Sequence, residues 1–193
     1  MNNNITNQLK AIIVFEFLNL YNTLENTIRF EFEKVLATLE KDDIYELHFI
    51  RGGLIGVFVE YKSPLTLKLR ENAFDSNTKF KELTINQIIK INKSKEYVKS
   101  LTLEITSVQT KTNYLIEDCV LKLINMRNNL AHNIKNCNFK EKDYIEILSS
   151  HKINTLDYDF LKNYDLSLLD DMTKYVLSNL FYMEKIIEKL ISK

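Results

Sequence analysis

Three glycines and one proline, Pro64, are all the conformational punctuation that 193 residues contain. A chain so poor in turn formers and helix breakers is biased toward long helices. The apolar pattern agrees. Leu9, Ile12, Ile13, Phe17, Leu20, Leu24, Ile28, Val35 and Leu39 recur largely at helical intervals, which predicts one amphipathic helix from Ile5 to about Leu39. Ile44 to Tyr61 reads as a second helix, although Gly52, Gly53 and Gly56 weaken its middle, and Lys62-Ser63-Pro64 ends it. Phe80 to Ile91 and Tyr97 to Val108 read as further helical pieces. Within the latter, Leu101 to Thr106 alternates in a way that also fits a strand, but the surroundings favour helix.

Asn113 to Leu130 is the clearest later helix, with Leu115, Ile116, Cys119, Leu123, Met126 and Leu130 on one face. Cys137 to Leu166 is polar and irregular, with one short helix expected at Tyr144 to Leu148. Ser167 with Asp170 resembles a capping arrangement that opens a final helix, Leu168 to Ile191. The expected architecture is all-α: an up-and-down bundle of four to six helices forming a single domain over residues 1–193.

A hydrophobic content of 45% is enough for one sizeable core. The 26 basic and 26 acidic side chains cancel, so the surface as a whole does not attract nucleic acid. The local balance differs. Between Cys119 and Lys142, Lys122, Arg127, Lys135, Lys140 and Lys142 face Glu141 alone, a local charge of about +4. Such a strip suits a short stretch of RNA backbone, and it also reads as an ordinary solvated face. Cys119 and Cys137 are too few and wrongly spaced for a zinc site or a disulfide scaffold, and Cys119 falls on the apolar side of its helix. The polar start lacks the layout of a secretory signal, and the longest apolar run, Gly52 to Val59, is too short to span a bilayer. A cytoplasmic protein with no membrane partner is the expectation.

Chemistry concentrates in Arg127-Asn128-Asn129-Leu130-Ala131-His132, at the end of the Asn113 helix. Arginine pairs with phosphate oxygens, and histidine exchanges protons near neutral pH. Five residues of continuous helix turn about 500°, leaving Arg127 and His132 about 140° apart, so they would not converge on one phosphate. Two arrangements overcome this. The helix can end near Asn128-Asn129, re-aiming His132, or a two-fold dimer can bring the pair from each protomer into a shared cleft.

The pattern Arg-Asn-x-x-Ala-His at the end of a bundle helix resembles the signature of the HEPN superfamily, helical proteins many of which are metal-independent ribonucleases. Arg127, Asn128 and His132 match it with a four-residue gap, and the likeness extends over roughly Asn113 to Asn133. HEPN toxins paired with nucleotidyltransferase antitoxins often carry a Tyr two places after the His. Ile134 stands there, preceded by Asn133, which argues against that partner.

The resemblance implies a HEPN-like fold, a homodimer, and an endoribonuclease acting as a toxin or in phage defence, with a possible antitoxin or defence-system partner. His132 would deprotonate the ribose 2′-hydroxyl, or its dimer mate would protonate the leaving 5′-oxygen. Arg127 would neutralise charge on the phosphorane-like transition state, where one preorganised donor contributes about 3 kcal/mol or more. Asn128 would orient His132 or the phosphate, and Asn129, Asn133 and Lys135 would contact the RNA. The products would be a 2′,3′-cyclic phosphate and a 5′-hydroxyl, and DNA should resist. No metal or other cofactor is expected.

The same residues have a plainer reading, because His and Arg near a helix C-terminus suit its dipole and Asn is a common cap. A non-catalytic HEPN-like binding or regulatory module, as in the mannitol-repressor type, is the rival. Other features carry less. Gly53-Leu54-Ile55-Gly56 matches the GxxG of a KH domain, but its apolar centre fits a turn or close helix packing. His48 and His151 are isolated, and Glu117-Asp118 reads as solvated. Phe15, Phe17, Tyr21, Phe30 and Phe32 read as core and interface.

Overall fold

The computed structural model of the chain describes residues 2–38, 84–132, 139–154, 158–162 and 164–192. These residues are mostly helical, with one small sheet. The elements are α1 (Asn2–Thr38), α2 (Ile85–Lys95), β1 (Glu104–Thr106), β2 (Asn113–Leu115), α3 (Ile116–His132), α4 (Ser150–Asn154) and α5 (Asp171–Ile191). Short 3-10 turns lie at Lys99–Thr102, Glu141–Asp143, Asp159–Leu161 and Leu166–Leu168. The chain divides into two compact units, one of Met1–Thr27 with Leu103–Lys193 and one of Ile28–Thr102. The expected helix at Ile44 to Tyr61, the Gly53–Gly56 stretch, His48 and Cys137 lie outside the described residues.

Helix α1 forms where the periodicity places it. In the first unit it buries Leu9, Ile13, Phe17, Tyr21 and Leu24, one residue per turn along a single stripe. Of the five aromatics expected in core or interface, Phe17, Tyr21 and Phe32 are buried, whereas Phe15 and Phe30 are 65% and 57% exposed. In the second unit, α2 starts at a capping box: Thr84 Oγ1 accepts from Gln87 N–H while the Gln87 side chain accepts from Thr84 N–H. It ends at Glu96, which takes the left-handed conformation at φ 50° and donates its N–H to Asn92 O. The buried Asn92 side chain then accepts from Val98 N–H at 2.8 Å, tying down the exit from the helix.

Two expectations about the first unit are corrected around the hairpin. Residues 104–106 form a strand rather than helix, and Asn113 to Leu115 are its antiparallel partner rather than the first turn of the motif helix. The alternation was the informative signal: Ile105 is buried while Glu104 and Thr106 face out. Pairing of Ile105 with Tyr114 supplies the backbone partners that an isolated short strand would lack. β2 runs directly into α3, with Ile116 N–H bonded to Leu103 O at 2.8 Å.

The third correction concerns Tyr144 to Leu148, which is irregular, with bends at Tyr144 and Ile145, rather than helical. Its backbone is satisfied from the side by α5: Asn179 Oδ1 accepts from Ile145 N–H at 2.8 Å and Ser178 Oγ from Leu148 N–H at 3.0 Å. Both acceptors are fully buried, so they replace the bonds a helix would have made. The final helix starts at Asp171, later than Leu168. Its cap is Asp170, whose Oδ1 accepts from Thr173 N–H and Thr173 Oγ1. Ser167 belongs to the preceding 3-10 turn and is capped by Asp165. α3 packs against α5, and the core of the unit holds Ile116, Cys119, Val120, Leu123, Met126 and Leu130 from α3 with Val176, Leu180, Met183 and Ile186 from α5. Among the described residues no helix is long and apolar enough to cross a membrane.

Candidate functional site

The motif occupies the last two turns of α3, which stays helical through His132. That removes the first of the two arrangements, because the helix does not stop at Asn128-Asn129 to re-aim the imidazole. Arg127 and His132 therefore keep the angular separation of about 140° that a continuous helix imposes.

Burial follows this geometry. Met126 and Leu130 are fully buried and fix which way the helix faces. Arg127 lies near this apolar side, half-buried, with its guanidinium carbon 5.7 Å from the centroid of the Tyr21 ring. Tyr21 is a buried α1 residue, so the cation rests on a fixed aromatic face. Arg127 Nη1 also donates to Asn128 Oδ1 at 3.1 Å. Asn128 thus steadies Arg127. His132 is exposed at the helix end, Asn129 is half-buried, and Asn133 and Lys135 lie outside the described residues.

The structure thus brings Arg127 and Asn128 together and sets His132 apart. The histidine is open to solvent. Within one protomer the two do not enclose a reacting phosphate.

Of the basic strip, Lys122 is partly engaged, its ammonium donating to Tyr144 O at 3.0 Å, while Lys140 and Lys142 are exposed. Cys119 is a core residue: burial pushes its thiol up to about 12, with Lys122 pulling the other way and Asp118 adding to the rise. Among the described residues no three His, Cys, Asp or Glu side chains are grouped to hold a metal ion.

Sequence reasoning missed a polar cluster that braces the approach to α3. The Glu146 carboxylate accepts from Val108 N–H at 2.9 Å, Gln109 N–H at 3.3 Å and the Ser107 hydroxyl. Val108 N–H is shared with the Tyr182 hydroxyl oxygen at 2.9 Å. Ser107 Oγ in turn accepts from Thr110 N–H at 2.9 Å. The only sequence signal was a lone Glu within an apolar run, Ile145-Glu146-Ile147-Leu148.

A second missed feature is an aromatic cluster beside Lys122. Tyr144 and Tyr175 stack with centroids 4.5 Å apart and an interplanar angle of 11°, and Phe139 meets Tyr175 edge-on at 6.3 Å. Both tyrosines are half-buried. Compared with known proteins, the chain matches no family model, no curated protein and no solved structure.

Proposed function

We propose that this chain is a metal-independent endoribonuclease of HEPN type, a cytoplasmic helical bundle acting as a homodimer in a toxin or phage-defence role. The observation that carries this reading is the exposed His132 at the end of a rigid helix, five residues beyond an Arg127 steadied by Tyr21 and Asn128. An exposed imidazole supplies proton transfer, and a preorganised guanidinium supplies charge neutralisation, which are the two needs of 2′-hydroxyl transesterification.

The angular separation requires a second protomer, so that His132 and Arg127 of both copies line one cleft. One imidazole then removes the 2′-hydroxyl proton and the other protonates the departing 5′-oxygen. Asn129, Asn133 and Lys135 contact the flanking backbone.

The test is incubation of wild type and His132→Ala with total RNA and a labelled oligonucleotide in EDTA. Wild type alone should cleave and leave 2′,3′-cyclic phosphate ends. If neither protein cleaves, the nuclease reading is lost.

One observation favours a second reading. Arg127 already has a ring and an amide around it, as expected for a residue that stabilises the helix end. A non-catalytic HEPN-like binding module would then show no cleavage, and His132→Ala would leave its affinity unchanged.

A further inference from the structure

We infer that the first unit carries an extended track for single-stranded RNA, leading from the stacked Tyr144 and Tyr175 along the polar stripe of α3 to His132. It rests on the reading of His132 as an RNA-facing group and adds where the strand lies and which chemistry grips it.

The stripe follows from helix geometry. Lys122, Asn125, Asn129 and His132 fall within about 80° of one another around α3 and span about 15 Å along its axis. Burial agrees: Asn125 and His132 are exposed, and Lys122 and Asn129 are half-buried. Arg127 lies outside this stripe, against Tyr21. Asp118 stands on the same face one turn before Lys122, and a carboxylate there repels phosphate and bounds the track at that end.

At the Lys122 end the chemistry changes from amide to aromatic and cationic. The Lys122 ammonium sits on the carbonyl of Tyr144, at the side of the tyrosine stack. Lys140 and Lys142, both exposed, flank the same segment. Partly buried rings stacked on one another, with lysines around them, are the combination by which proteins hold unpaired bases: the rings stack and the cations follow the backbone. Asn179 Nδ2 donates to Tyr175 O at 2.8 Å and Asn179 Oδ1 accepts from Ile145 N–H, so the backbones carrying both rings are fixed to one buried side chain. A rigid platform loses little freedom when a base arrives. An unpaired strand is favoured over a duplex because paired bases offer no free face for stacking.

The experiment measures anisotropy of a short fluorescein-labelled 2′-O-methyl oligoribonucleotide, which lacks the hydroxyl needed for cleavage and so reads binding alone. Wild type and Tyr175→Phe should bind alike, because phenylalanine keeps the stack. Tyr175→Leu should weaken binding about tenfold. Asn125→Asp, which places a negative charge on an exposed part of the stripe, should weaken binding several-fold, more so at low salt. It serves as the decisive variant should Tyr175→Leu fail to fold by circular dichroism.

Lack of binding by wild type, or wild-type affinity in folded Tyr175→Leu and Asn125→Asp, would overturn the track. So would displacement by duplex RNA, or by polyglutamate as an acidic protein surrogate, as effective as displacement by unlabelled single strand. Failure of the nuclease reading looks different. Binding with the expected variant pattern but no cleavage of unmodified RNA retains the track and removes the enzyme. Cleavage with an unchanged KM in both variants does the reverse.

Discussion

The brace between Glu146 and the hairpin turn makes a quantitative demand on stability. Val108 N–H has two acceptors, Glu146 Oε1 and the Tyr182 hydroxyl, both at 2.9 Å. Tyr182→Phe removes one and leaves the other, so its cost should be about 0.5–1 kcal/mol, the net worth of one hydrogen bond. Glu146→Ala removes a nearly buried carboxylate that also serves Ser107 and Gln109. Those donors keep partial company, because Gln109 N–H still reaches Ser107 Oγ at 3.3 Å. A cost of about 2–3 kcal/mol follows from a lost charge-assisted bond plus the vacated volume. The double variant differs in kind, because Val108 N–H then has neither acceptor and its desolvation penalty of about 1–3 kcal/mol appears only there. The double variant should therefore be less stable than the sum of the single effects by at least about 1 kcal/mol. Urea unfolding of the four proteins, analysed as a double-mutant cycle, measures this directly. Additivity within about 0.3–0.5 kcal/mol would refute the shared-donor account.

Two further predictions concern titrating groups. Burial keeps the Cys119 thiol protonated, so in a Cys137→Ser background it should resist a disulfide reagent at pH 8 and label only on unfolding; rapid labelling of the native protein would contradict its burial. Burial works to raise the Asp170 carboxyl, but bonds from Thr173 N–H and Oγ1 and the Lys10 ammonium at 3.1 Å outweigh it and hold it below the usual range. Since the folded value is depressed, its stabilisation is present above the unfolded value of about 3.9 and is lost as pH falls through the folded one. Asp170→Asn, which retains a cap, should accordingly flatten the acid limb of a stability–pH profile more than it lowers stability at pH 7; an unchanged acid limb would be the contrary result.

The sequence was most legible where one rule acted alone. The stripe of α1 needed only the helical period, and Cys119 needed only its place on an apolar face. Leu101 to Thr106 was harder because two rules competed. Its period-two alternation was correct over Glu104 to Thr106, while Leu101 and Thr102 close a 3-10 turn, and proximity to helices says nothing about a partner strand arriving seven residues later. Tyr144 to Leu148 was illegible for a different reason. Its irregular form depends on Ser178 and Asn179, some thirty residues away and buried on α5, and local propensity contains no trace of acceptors so placed. The candidate site divides likewise. Arg127, Asn128 and His132 were found as residue types with known chemistry, and their angular separation followed from counting. Contact of Arg127 with Tyr21 could not be seen, since it joins two helices whose relative rotation only the core sets.

That separation yields a test of how the protomers cooperate. In a shared cleft two arginines and two histidines act together, so activity depends on how many of each are present and not on which chain supplies them. A dimer of wild type with the Arg127→Ala/His132→Ala double variant holds one Arg127 and one His132. A dimer of Arg127→Ala with His132→Ala holds the same set, distributed differently. The two heterodimers, isolated through different affinity tags, should cleave RNA at rates within a few-fold of each other. Both should be slower than wild type by about 100-fold or more, since one imidazole then lacks its acid–base counterpart. A site complete within each protomer behaves otherwise: the first heterodimer keeps about half the wild-type rate through its one intact chain, and the second is inactive. That outcome would require Arg127 to leave the Tyr21 ring and swing toward His132 on substrate binding. The ring contact itself reports the swing, because Arg127 side-chain proton shifts would lose their ring-current displacement when RNA is added.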